Sequence, residues 1–313
     1  TQIGSPDFLP KSQVPTQYEW VDTISYLHGK HSLKFGADLH WPIRNIFQDE
    51  PGARGSLGFD KIFTCLRASN GACASGGLSY ADALLGYVKS SQLSNVFFVD
   101  QRLYMISGYV EDDYKVLPRL TLNIGLRYDF GSPATDGANR MANFDPAGGG
   151  SLVFAKDGSL KQRALVNPNT NNWAPRIGMS YSFNDKTVLH AGYGIYYSLF
   201  EKYGSEDQLA LNPPGLVNNV ASVSSTSTTP VFFLKDGFPS NSLDPNLLTN
   251  NFTHFTKVRI RAVDPNIGAP TVQQWSVGVQ RELPSQFFAE LNYVGTHSTH
   301  LNVLSDFNQP VPT

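Results

Sequence analysis

The sequence predicts an all-β fold, an antiparallel meander of about eight long strands in four hairpins. Three observations carry this. Apolar and polar residues alternate over segments long enough to cross a bilayer, the segments come in pairs joined by two or three residues, and long polar connections separate the pairs. Side chains in a strand repeat every two residues, so each segment has one oily and one wet face.

The first pair is 18–28 and 31–41, joined by Gly29-Lys30. Leu33, Phe35, Ala37, Leu39 and Trp41 share a face opposite Ser32, Lys34, Gly36, Asp38 and His40. The second pair is 102–115 and 119–130, with Pro118 at the turn because it cannot donate to a ladder. Its second strand, "RLTLNIGLRYDF", puts Leu120, Leu122, Ile124, Leu126, Tyr128 and Phe130 in one row and Arg119, Thr121, Asn123, Gly125, Arg127 and Asp129 in the other. The third pair, 173–183 and 187–198, turns at Asn184-Asp185-Lys186, and the fourth, 271–283 and 286–296, turns at Pro284-Ser285.

The connections at about 42–101, 131–172 and 199–270 are rich in Gly, Pro, Asn, Ser and Asp. "DPAGGGS" and "VASVSSTSTTP" read as surface loops or partly disordered segments, "LSYADALLG" (78–86) as a short helix, and "SSQLSNVFFVDQ" (90–101) as an extension of the following strand. Loops of this length are unusual in compact soluble domains. Short and long connections alternate strictly, so all tight turns lie at one end of the strands. A transmembrane β-barrel has that asymmetry, with short periplasmic turns and long extracellular loops, and the sheet is part of one or closes as one.

Under this reading the Leu120 to Phe130 row faces lipid. Trp20, Trp41, Trp173 and Trp275 all fall toward the long-loop end, with Tyr128, Phe130, Tyr196 and Tyr197, where an aromatic girdle belongs. Lys or Arg facing lipid near the midplane costs on the order of 2–4 kcal/mol, and Lys34, Arg127 and Arg176 fall on the opposite rows. Asp22 is the exception, because it shares a row with Trp20 and Ile24. It faces the lumen through a bulge, or the register there is shifted. A soluble β-sandwich also alternates, but explains neither the loop asymmetry nor the grouped tryptophans.

Composition excludes several functions. A formal charge of −2 and the lack of a basic cluster interleaved with aromatics speak against nucleic acid. No apolar run is long enough for a membrane-spanning helix. There is no nucleophile elbow, P-loop or dinucleotide fingerprint, so no catalytic residue and no cofactor is expected. Neighbouring Asp112 and Asp113 point to opposite faces and cannot act as a pair, one facing the lumen and the other an interface. His297 and His300 lack a carboxylate at a useful spacing for zinc. Asp129, Asp136 and Asp145, around one long loop, match no calcium-loop pattern. Gly192 and Gly194 read as strand curvature or close approach of a lumen element. Cys65 and Cys73, the only cysteines, read as a disulfide of an oxidising compartment or as two free thiols.

The phrases "HSLKFGADL", "YADALLGY", "YVEDDYKVLPRLTLNIGLRYDF", "NFDP", "NWAPRIGMSYSFNDKTVLHAGYGIYYS" and "PTVQQWSVGVQRELPSQFFAELNYVGTHSTHL" resemble the barrel region of Oar-like members of the TonB-dependent receptor superfamily. The resemblance covers about residues 30–301. It implies a location in the Gram-negative outer membrane, energy-coupled uptake or export of a large unidentified ligand, and coupling to the TonB complex through a plug. A plug, a TonB box and a regulatory-like domain are not recognisable here, and "FNQPVPT" is not a terminal strand, so 1–313 is expected to be a fragment of the barrel region. An adhesion or structural role for the same barrel is the alternative.

Overall fold

The computed structural model describes residues 9, 11–47, 52–96, 98–147, 149–199, 209–249, 260–303 and 305–306; the tail "FNQPVPT" lies outside them. Eight long strands dominate: β1 (Ser12–His28), β2 (His31–Phe47), β3 (Met105–Leu117), β4 (Leu120–Gly131), β5 (Trp173–Asn184), β6 (Thr187–Tyr197), β7 (Thr271–Glu282) and β8 (Phe288–Thr299). Each pairs antiparallel with the next, as a meander does. A short strand, Phe98–Arg102, continues the line of β3 along the upper part of β2, and Thr135–Asp136 pairs with it in turn. No helix among the described residues is long and apolar enough to cross a membrane.

The pattern of exposure is the reverse of a water-soluble sheet. Along β2, Phe35, Ala37, Leu39 and Trp41 are exposed, while Lys34, Gly36, Asp38 and His40 between them are half-buried. Ile124 and Leu126 of β4 are 48% and 41% exposed, and Ile177, Val277, Leu291 and Tyr293 continue the same bare face across β5, β7 and β8. Among the described residues no second layer packs on it. A face of that size and chemistry is stable only against an apolar medium.

β1 starts at Ser12 rather than at residue 18, so Trp20 sits in mid-strand. The β1–β2 register runs without a bulge from Ser12↔Phe47 to His28↔His31, and Asp22 pairs with Ala37 on the apolar face. This corrects both explanations for Asp22, since neither a bulge nor a shifted register takes it off the oily row. Asp113, opposite Asn123, faces the polar side, and Asp112, opposite Ile124, the apolar side, where its carboxylate is 2.7 Å from His31 Nδ1 near the short-turn end.

Where they are described, the long connections carry short strands and helices of their own between exposed turns, and "DPAGGGS" and most of "VASVSSTSTTP" are such surface turns. Ser90–Ser94 does not extend β3 but pairs with Asn218–Ser222 and Ser56–Gly58 in a separate sheet. The stretch 220–222 of "VASVSSTSTTP" lies in that sheet. Ser79–Leu84 is a helix, α1. The connections also supply the largest buried cluster, in which Ile46 and Val99 meet Met141, Leu165, Val166, Leu209 to Leu211, Leu216 and Val263.

Candidate functional site

Ile46 and Val99 are register partners on the polar face of the upper sheet. Met105, Ser107, Asp129 and Ala174, also on polar rows at the long-loop end, are buried too. The folded loops therefore lie over the polar side of the sheet at its upper end, as a cap.

Side-chain amides hold this cap together. Asn143 donates from Nδ2 to the Val263 carbonyl (2.9 Å) and accepts from Val263 N–H (3.0 Å). Asn212 does the same with Arg261 at 2.8 and 2.7 Å and also donates to the Ala142 carbonyl at 2.7 Å. Asn95 joins the first loop to the third through Val217 N–H and the Gly215 carbonyl. Asn143 and Asn212 are buried, and each supplies a donor and an acceptor where the backbone has no ladder partner.

Asp136 is fully buried in the cap. It accepts from Arg140 Nε (2.8 Å) and Nη2 (2.6 Å), and from the backbone N–H groups of Arg140 and Asp100 (both 2.9 Å). Burial pushes its carboxyl up, but the hydrogen bonds and charge of Arg140 and the Asp100 N–H outweigh burial and hold it below the usual carboxylate range. The Arg140 ion pair thus occupies the Asp136 carboxylate. Asp129 is bonded to Arg127 Nε at 2.6 Å, and among the described residues no three His, Cys, Asp or Glu groups converge as a metal site.

Below the cap the polar face forms a groove of about 690 Å³, lined by Tyr109, Glu111, Asn123, Arg127, Arg176, Tyr196, Gln274 and Ser276 together with Gly125, Gly178, Gly192 and Gly194. Its upper rim is a charge network. Arg127 bonds Asp129 and lies 3.7 Å from Asp38, and His40 Nε2 lies 2.7 Å from the other Asp38 oxygen. Two aromatic rings rest on glycines. The Tyr109 ring occupies the space a Cβ would need at its register partner Gly36, and the Tyr196 ring lies against Gly194 with the Arg176 guanidinium 4.7 Å above its centre.

The residues singled out by the sequence divide between the faces. Leu120, Leu122, Ile124, Leu126, Tyr128 and Phe130 form one row on the apolar face. Tyr128 and Trp173 are register partners with rings 4.6 Å apart, and Tyr197 Oη donates to the Trp173 carbonyl. Trp20, Trp41 and Trp275 share that face, Trp275 lying over Gly295. Tyr196 does not. It belongs to the groove, a correction that the period of two already demanded, because Tyr196 and Tyr197 are neighbours and point opposite ways. Cys65 and Cys73 are joined as a disulfide across a small hairpin. Between them Arg67 donates to the Ile62 and Gly71 carbonyls and to Thr226 and Ser227 of the third loop. Sequence reasoning missed Arg67, Asn143 and Asn212, because each ties its loop to groups remote in the chain.

A family model for the outer membrane beta barrel domain matches residues 1–313. No curated protein matches. Among solved structures the chain is similar to the outer membrane transporter YddB from Escherichia coli, with 12% identity and a TM-score of 0.45 over 91% of this chain and 26% of that one. It is also similar to the siderophore receptor PiuA from Acinetobacter baumannii (11%, TM-score 0.35, 90% and 32%) and the toluene transporter TbuX from Ralstonia pickettii (11%, 0.28, 90% and 57%). The chain thus spans about a quarter of YddB and a third of PiuA. With its bare apolar face and inward polar rows, and matched along its whole length by one model, the chain belongs to the outer membrane β-barrel domain family and resides in the outer membrane.

Proposed function

We propose that the protein is the barrel of an outer-membrane transporter or receptor of the TonB-dependent kind, in which ligand enters beneath the loop cap and passes along the polar face. The observation that carries this is the division of the sheet. One face is bare and apolar, and the other carries a charged groove, with folded loops packed on the polar rows at the upper end of the sheet. A purely structural barrel has no need of such a groove on its polar face. TonB coupling through a plug rests on the resemblance of the strand phrases, and outer-membrane lipid is the surrounding partner. The reading includes no catalysis and no nucleic acid.

The test begins with the native full-length protein, fractionated between outer membrane and soluble material, with heat-modifiable gel migration as the sign of a folded barrel. Cells with and without the gene, each with and without TonB, are then compared for growth on single nutrient sources. A growth advantage that needs both the protein and TonB is the expected result. A heat-modifiable barrel whose loss alters only surface adhesion, regardless of TonB, would replace transport with a structural role.

A further inference from the structure

On the polar face, five residues on adjacent strands lie in one register row: Glu111 on β3, Gly125 on β4, Arg176 on β5, Gly194 on β6 and Gln274 on β7. Gly125 leaves bare backbone between Glu111 and Arg176, Gly194 on the other side of Arg176 is covered by the Tyr196 ring, and Gly178 and Gly192 extend the glycine floor one row toward the short turns. Neighbouring charges of the upper rim are spent on one another, as Arg127 is on Asp129 and Asp38. Glu111 and Arg176 are different. Among the described residues neither side chain has an ion-pair or hydrogen-bond partner: Lys34, the register partner of Glu111 on β2, is turned to Asp113 at 3.4 Å, and Arg176 only stacks on Tyr196.

An unpaired carboxylate and an unpaired guanidinium thus face one groove from either side of a glycine. We propose that this is a binding site for a zwitterionic solute of the short-peptide class, with its carboxylate on Arg176 and its ammonium on Glu111. Arg176 presents a planar fork of donors suited to a carboxylate, and stacking on Tyr196 fixes its plane. Glu111, half-buried, repels a second carboxylate and accepts an ammonium. Gln274, Asn123 and Ser276 line the walls and supply partners for peptide groups. The backbones of β3 and β5 are about 10 Å apart, two strand spacings. Arg176 leans toward β6, where it stacks on Tyr196, and an extended dipeptide of roughly 7 Å with a hydrogen bond of about 3 Å at each end bridges from Glu111 across Gly125 to it. A groove of about 690 Å³ accepts a molecule of that size.

This site rests on the transport reading, because the polar face is a solute path only in a barrel. The experiment uses full-length protein purified from outer membranes in heat-modifiable form, so failure of the barrel reading shows first as soluble recovery or as migration indifferent to heat. Binding of glycylglycine, its N-acetyl derivative and its C-terminal amide is then measured by titration calorimetry. The free dipeptide is expected to bind about tenfold tighter than either capped form, the loss typical of one charge-assisted hydrogen bond. Glu111→Gln is expected to remove only the penalty for acetylation, and Arg176→Gln only the penalty for amidation. Equal binding of all three probes, no binding of any, or penalties indifferent to both substitutions would overturn the proposal even in a well-folded barrel.

Discussion

At the scale of single residues, the buried polar groups of the cap carry the sharpest consequences. Asn212→Leu keeps the branched outline of the side chain but leaves Arg261 N–H and the Ala142 and Arg261 carbonyls without their partner. Each buried group so orphaned costs about 1–3 kcal/mol. The third loop is therefore expected to become sensitive to limited proteolysis while the barrel keeps its heat-modifiable migration. Loss of both together would mean that cap and sheet fold as one unit. Asp136 gives the cap a pH dependence. Its carboxyl titrates below its ordinary 3.8 in the folded cap, so its contribution is complete above that value and is lost as pH falls through the lower folded one. Proteolysis of the cap by an acid protease is expected to accelerate below about pH 4, and Asp136→Asn to remove that acid step while weakening the cap at neutral pH, because the buried Arg140 pair is broken. An acid profile unchanged in Asp136→Asn would locate the acid-sensitive group elsewhere.

At the scale of elements, the two faces of one strand should respond oppositely to the same substitution. Ile124→Arg places a guanidinium on the exposed apolar row of β4 and is expected to cost on the order of 2–4 kcal/mol if that row meets lipid near the midplane. Asn123→Arg, one residue earlier, points into the groove and should cost far less. Urea midpoints of the two variants refolded into vesicles make the comparison, and equal midpoints would contradict the facial assignment. The strands themselves were legible because a period of two is a local signal that one-sided burial enforces. All eight long strands lie where alternation put them, with ends shifted by a few residues where β1 and β2 run on above the expected boundary. The loops were not legible in the same way. Their core draws Val99, Met141 and Leu209 from three connections with no common period, and the bonds that align them run from Asn143 to Val263 and from Asn95 to Val217. The groove was half legible. Alternation placed Arg176, Gly192 and Gly194 on the polar side, but only the cross-strand register shows that Glu111, Gly125 and Arg176 share a row.

At the scale of the whole molecule, the question is what covers the two free edges. Among the described residues, β1 pairs only with β2 and β8 only with β7. Each outer edge carries a row of backbone donors and acceptors, and lipid offers them nothing, at a cost of several kcal/mol for each unsatisfied group. A sheet with two such edges cannot sit in a bilayer as it stands. Both edges must be paired in the membrane, whether with each other or with further strands. Amide hydrogen exchange of the full-length protein in vesicles tests this without naming the partner. The outward N–H groups of β1 and β8 are expected to exchange as slowly as those of β4, which is hydrogen-bonded on both sides. Fast exchange confined to β1 and β8, with β4 protected, would mean that the edges meet water, and the apolar face would then border a smaller membrane surface than eight strands provide.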